Sequence, residues 1–258
     1  MTWFEIGMQV SAPRRLLRAS AIGVVALLSL AGCQKENEAG CFTSTGNIIT
    51  ERRALSPFRV LTTYDNVQVT LVQDTETYAE VRAGKNLQDD IRLEVEGNQL
   101  TIRNTSRCNW VRRYNTPREV TLHTPRLTDV FLRGQADIRT AGPFRADTLF
   151  VHLVGSGDYH LNLQSKYLNA DQYELGDIYL EGQTDELHLT IGGGGSTYAT
   201  GLPTRQVYLR SNFDSEGSAY FRPSELLTGV HAGIGTVYYH GMPATDLRVT
   251  GKGRLVKE

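Results

Sequence analysis

The sequence predicts an all-β chain: a parallel, β-helix-like solenoid with coils of about 18–22 residues, preceded by a more irregular β half. Three observations predict it. A unit of six or seven residues returns along the second half, as ADIRTAG from Ala136, GDYHLNL from Gly157, GDIYLEG from Gly176, GSTYATG from Gly195, GSAYFRP from Gly217, GTVYYHG from Gly235 and GRLVKE from Gly253. Within and before each unit, apolar and polar residues alternate with period two, the period of a strand with one buried face. The composition is rich in Gly (25 residues) with Val, Leu, Thr and Tyr in the regular segments, and no amphipathic helix with caps is legible.

The N-terminal segment is a processing signal. Arg14, Arg15 and Arg18 give a positive start, and ASAIGVVALLSL (Ala19 to Leu30) is an apolar run too short to span a bilayer comfortably. It ends in LAGC, Leu30 to Cys33, which resembles a bacterial lipobox whose Cys is lipidated and becomes the new N-terminus. Residues 1–32 then form the signal peptide, 33–57 the lipidated N-terminus and tether, and 58–258 a single head domain; translation starts at Met1 or Met8. Cleavage before Cys33 leaves 24 basic and 27 acidic residues. That balance gives no basic field for nucleic acid. The 40% hydrophobic content supplies one sizeable core.

Two further cysteines remain, Cys41 and Cys108. Outside the cytoplasm an even pair is most simply a disulfide. It closes a loop of roughly 67 residues, worth about 3–4 kcal/mol in the chain-entropy model. A metal site or a reactive thiol is the alternative, but no His or second Cys sits at ligand spacing around either one.

In the first half, FRVLTTYDNVQVTLVQ (Phe58 to Gln73) alternates at Val67, Val69 and Leu71, and YAEVRAG follows. IRLEVEGNQLTIRN reads as a hairpin about Glu96, Gly97 and Asn98. REVTLHTPRLTDVFLRG leads into the repeat.

Alternation assigns the faces of the repeat. The third and fifth residues of each unit point inward, among them Tyr159, Ile178, Thr197, Ala219 and Val237. The second residues (Asp137, Asp158, Asp177, Ser196, Ser218, Thr236) and the fourth (Arg139, His160, Tyr179, Tyr198, Tyr220, Tyr238) point out. Four Tyr are thus stacked on one outer face at the strand spacing of about 4.8 Å. The unit glycine is expected to serve a tight corner.

The chain resembles the head GIN domain family of putative auto-transporter adhesins, common in secreted and lipid-anchored proteins of Bacteroidetes. The residues that carry the resemblance are FRVLTTYDNVQVTLVQ, AEVRAGKNLQDDIRLEVEGNQLTIRN and VTLHTPRLTDVFLRGQADI. It covers roughly residues 41 to 258. The resemblance implies a right-handed β-helix-like fold and adhesion, supplies no catalytic residues, and pairs Cys41 in CFTSTGNI with Cys108 in RCNWVRRY.

Stacked Tyr beside carboxylates and hydroxyls offers a platform for sugar rings, with Tyr179, Tyr198, Tyr220, Tyr238, Asp158 and Asp177 as the candidate binding stripe. The same ladder also serves as plain architecture, worth about 0.2–1 kcal/mol per stacked pair. Asp137, Asp158 and Asp177 lie on successive coils and are a weak Ca²⁺ candidate; no nonapeptide calcium repeat accompanies them. IGGGGS (Ile191 to Ser196) lacks the Lys and helix of a phosphate loop and reads as a coil with trimmed side chains. The six His show no shared spacing, and His152 and His188 read as solvated surface on different coils.

The reading is a non-enzymatic, lipid-anchored cell-envelope protein at the outer membrane, an adhesin-like module for a glycan or protein ligand, without a cofactor. A purely structural envelope scaffold and a polysaccharide-active β-helix enzyme are the alternatives. The last coil, LRVTGKGRLVKE, is expected to expose strand edges through which a homo-oligomer could form.

Overall fold

The computed structural model describes residues 44–106 and 116–258. The expected lipidation of Cys33, the Cys41–Cys108 pair and the aromatic-basic loop from Asn109 to Tyr114 lie outside those residues. What is described is β-structure throughout, apart from one 3₁₀ turn at Lys85–Asp90.

The regular part is built by parallel stacking. Strands β8 (Asp129–Leu132) and β9 (Ile138–Thr140) form two sides of one coil, and β10 (Phe144–Leu153) begins the next. Then come three full coils, β11 (Tyr159–Gln172), β12 (Ile178–Ile191) and β13 (Thr197–Ser211). β14 (Ala219–His231), β15 (Thr236–Tyr239), β16 (Ala244–Val249) and β17 (Arg254–Lys257) complete the stack. Each coil of the middle section is one continuous run of 13–15 residues closed by a single turn. The repeat suggests several short strands per coil instead. The β11–β12 ladder runs almost unbroken around its corner, whereas β12–β13 and β13–β14 shift register there.

The registers show why the repeat length varies without harm. Tyr159 pairs with Ile178, Ile178 with Thr197, Thr197 with Ala219 and Ala219 with Val237, so the unit's third position is in register on every coil. All five are fully buried. A second inward row runs Leu61, Val130, Val151, Ala170, Leu189 and Leu209. Extra residues enter at corners as bulges, where no inward side chain is displaced.

The first half extends the same two sides and then closes the end. β2 (Val60–Thr63) stacks on β8, and β3 (Gln68–Gln73) stacks on β9, both parallel. Beyond them β6 (Gln99–Asn104) pairs parallel with β2, and β7 (Arg118–Thr124) with β3. Direction then reverses. β5 (Ile91–Glu96) is antiparallel to β6, β4 (Tyr78–Gly84) is antiparallel to β7, and β1 (Ile48–Ala54) is antiparallel to β4. The β5–β6 hairpin turns at Gly97, whose φ of 59° suits glycine, as the sequence predicts. At the other end β16 pairs only with β14, and β17 only with β15. Met242 is 89% exposed there.

Candidate functional site

Each unit residue has one structural task. The second-position oxygens from Asp137 to Ser218 are half-buried, and each accepts a backbone N–H from the next coil. Asp137 accepts from Asp158 (3.1 Å), Asp158 from Asp177 (2.8 Å), Asp177 from Ser196 (2.7 Å), Ser196 from Ser218 (3.1 Å) and Ser218 from Thr236 (3.1 Å). This explains why Asp or Ser fills these five positions: each is a short side chain with an acceptor. It also changes the picture of three bare carboxylates. One oxygen of each is held by an amide, Arg139 lies 3.7 Å from Asp137, and the Tyr179 hydroxyl donates to Asp177 at 3.2 Å. Among the described residues no group of three or more His, Cys, Asp or Glu is placed to hold a metal ion.

The glycine row has a different cause from the one its turns suggest. None of Gly157, Gly176, Gly195, Gly217 or Gly235 has a positive φ. A Cβ at Gly195 would lie under 3.0 Å from the carbonyl oxygen of Gly176, and one at Gly217 would meet that of Gly195 in the same way. The row is glycine because consecutive coils approach there backbone to backbone. IGGGGS follows the same logic. A side chain at Gly192 would enter the Tyr173 ring, and one at Gly193 the carbonyl of Glu174.

The fourth position forms a ladder of five rings. Centroid separations are 4.7 Å for His160–Tyr179, 4.8 Å for Tyr179–Tyr198, 5.0 Å for Tyr198–Tyr220 and 4.7 Å for Tyr220–Tyr238. Interplanar angles of 4° to 11° make the rings nearly parallel. The four Tyr are half-buried and His160 is exposed. The rings therefore cover one another's faces and present edges and hydroxyls outward. The stacking expected from alternation forms, and it covers the aromatic faces that a sugar platform would use: strand spacing sets ring spacing, and parallel coils give every Tyr the same direction. Burial, followed by the neighbouring Asp177 carboxylate, pushes the Tyr179 phenol up to about 12.

An open groove of about 470 Å³ lies at the His160 end of the ladder, lined by Arg139, His160, Asn162, Tyr179 and Glu181 with Ala141 and Gly142 at its wall.

The neighbouring outer face holds features that linear reading missed. His188 is stacked on Tyr208 (5.2 Å) and tilted by 43° against Tyr167 (4.8 Å), forming a second aromatic row. His152 is packed on Phe131 at 4.3 Å and its Nδ1 lies 2.9 Å from Asp171, with only 18% and 15% of the two side chains exposed. Burial works to raise the Asp171 pKa, but hydrogen bonds from His152 and Thr190 outweigh it and the carboxyl falls below its ordinary value. Neither His is simply solvated. The signal was present as outward positions shared by coils about 19 residues apart, but it needs the register to be seen.

Buried polar groups serve the frame. The Tyr159 hydroxyl donates to Val130 O at 2.9 Å and lies 3.2 Å from His152 O, and burial pushes its pKa well up. Ser211 Oγ accepts the N–H groups of Ala232 (2.8 Å) and Gly233 (3.0 Å) and meets His231 Nδ1 at 2.8 Å. His231 Nε2 then donates to Gly235 O at 2.8 Å.

The family model described as putative auto-transporter adhesin, head GIN domain, matches residues 57–243. The chain belongs to this family. Solved structures with the same fold include a putative adhesin from Bacteroides fragilis, 21% identical with a TM-score of 0.75 over 82% of this chain and 97% of that one. A protein from Parabacteroides distasonis titled a putative lipid binding protein is 18% identical, with a TM-score of 0.64 over 83% and 98%. A putative adhesin from Parabacteroides merdae is 20% identical, with a TM-score of 0.59 over 83% and 98%. No curated protein matches the chain. These relatives of the GIN-domain chain are named adhesins or lipid-binding proteins, not enzymes. Among the described residues no helix is long and apolar enough to cross a membrane.

Proposed function

We propose that the protein is a non-enzymatic, adhesin-like binding module of the cell envelope, tethered to the outer membrane through lipidated Cys33, and that the ladder face contacts an envelope or extracellular glycan. The supporting observation is the row of half-exposed Tyr hydroxyls, spaced by ring separations of 4.7 to 5.0 Å along one straight face. Hydroxyls in a regular row both donate and accept, which suits an extended hydroxyl-rich polymer better than an apolar one. The family description supports an adhesive role. Asp158 and Asp177 hold the ladder from beneath by accepting the next coil's amides.

The test is an array of glycans and envelope polysaccharides probed with the chain from Gln34 onward, which retains every described strand. A Tyr179→Phe/Tyr198→Phe/Tyr220→Phe variant keeps the stacked rings and removes three hydroxyls. Binding by the wild type that this variant loses supports the reading. A purely structural ladder gives no glycan signal for either protein. Lipidation is checked separately: labelled fatty acid should enter the full chain and not Cys33→Ser.

A further inference from the structure

The groove at the head of the ladder has a definite structural origin. Arg139 pairs with His160, and Phe144 pairs with Leu163. Between these pairs one coil has four residues, 140 to 143, and the next has two, 161 and 162. The surplus is thrown outward as the exposed Ala141–Gly142–Pro143 corner, which makes the groove wall. A corner of the next pair but one is also enlarged. Tyr179 pairs with Tyr198 but Glu181 with Gly201, a gain of one residue on the later coil. Glu181 is exposed on the tighter corner between these two bulges.

The chemistry inside is mixed, and two of its polar groups are unspent. Among the described residues neither the Glu181 carboxylate nor the Asn162 side-chain amide makes a hydrogen bond or ion pair. Asn162 is oriented through its backbone, whose N–H donates to Thr140 Oγ1 at 2.8 Å. Arg139 brings a half-exposed guanidinium that lies 3.7 Å from Asp137 and donates from Nε to the Gln68 side-chain oxygen at 3.0 Å. His160 has Tyr179 on one face and no ring on the other, where Arg139 is its register neighbour. At this end of the ladder the last ring, His160, borders the groove.

We propose that this groove is a subsite for one or two pyranose units of a neutral glycan. The inference rests on the glycan reading above and locates its specificity. A carboxylate beside an amide and a guanidinium supplies acceptors and donors to adjacent hydroxyls, each of which needs both. An anionic ligand would face Glu181 and a cationic one Arg139, so neither sign is favoured. A sugar's apolar face can lie on His160, whereas Tyr179, Tyr198 and Tyr220, stacked on both sides, have only edges to give.

The test uses methyl glycosides of glucose, galactose, mannose and glucuronic acid, titrated into isotope-labelled chain from Gln34 onward and followed by NMR. The expected result is saturable shifts with at least one neutral glycoside, weakened tenfold or more by Glu181→Gln and by Asn162→Ala. Tyr208→Phe, on the neighbouring outer face and not among the groove's lining, should leave the affinity unchanged. Glu181→Gln keeps shape and size, so its amide spectrum checks the fold directly. Binding that survives both groove substitutions, or that prefers the glucuronide, overturns the subsite. Absence of shifts with every neutral glycoside overturns it too. The polysaccharide array reports independently on the ladder face, so the subsite can fail while the wider glycan reading stands.

Discussion

Replacing Gly195 by Ala adds one methyl group at the place where two coils touch through their backbones. The new Cβ would lie within 3.0 Å of the Gly176 carbonyl oxygen and of Gln172 Nε2. Neither can retreat freely. Gln172 is fully buried and its side-chain nitrogen also donates to Glu174 O, while Gly176 O is part of the backbone corner. The coil must separate locally, at an overpacking cost of about 1–3 kcal/mol. Separation also weakens the bond from Gly195 N to Glu174 O, 3.1 Å long, at about 0.5–1.5 kcal/mol. The sum is about 1.5–4.5 kcal/mol, which for a chain of this size lowers Tm by roughly 3–18 °C. Gly142→Ala is the control. Its Cβ meets nothing within 4 Å and its φ is not positive, so the change should be neutral or stabilise by about 0.4–1 kcal/mol. Thermal unfolding of the two variants by circular dichroism decides the matter. If Gly195→Ala melts no lower than Gly142→Ala, backbone contact between coils is not why the row is glycine.

Three other outcomes follow from the buried and stacked groups. Ser211→Ala leaves the N–H groups of Ala232 and Gly233 without their acceptor and should cost about 2–4 kcal/mol in urea unfolding. Thr197→Val removes a buried hydroxyl that has no hydrogen-bond partner, so it should raise stability by up to about 1 kcal/mol, read as a higher urea midpoint. The Tyr179 phenol, raised from an ordinary value near 10 to about 12, favours the folded state while protonated. That contribution is complete below pH 10 and is lost as pH climbs through about 12. Tyr179→Phe should delete the corresponding late component from a 295 nm absorbance titration.

The repeat was legible because its unit is local. Gly, a short acceptor, a core residue and Tyr recur at intervals close to one coil, and period-two alternation fixes which of them face inward. From Tyr159 to Val237 that assignment holds at every coil. The hairpin about Gly97 was legible for the same reason, since its turn chemistry sits within three residues. The N-terminal closure was not. Whether YAEVRAG runs with or against its neighbours depends on which distant strand it meets, and β4 lies between β1 and β7, both antiparallel to it.

The candidate site divides the same way. The sequence by itself determined that Tyr179, Tyr198, Tyr220 and Tyr238 share one outer face, and that Asp and Ser precede them. Only the tertiary structure decided what those residues do there. Rings at 4.7 to 5.0 Å have room for nothing between them, so they close into a stack and offer edges. Carboxylates at that spacing find the next coil's amides before they find an ion. The groove needed most: a two-residue surplus at one corner is spacing drift in the sequence and becomes a wall only when the coils above and below are stacked in register.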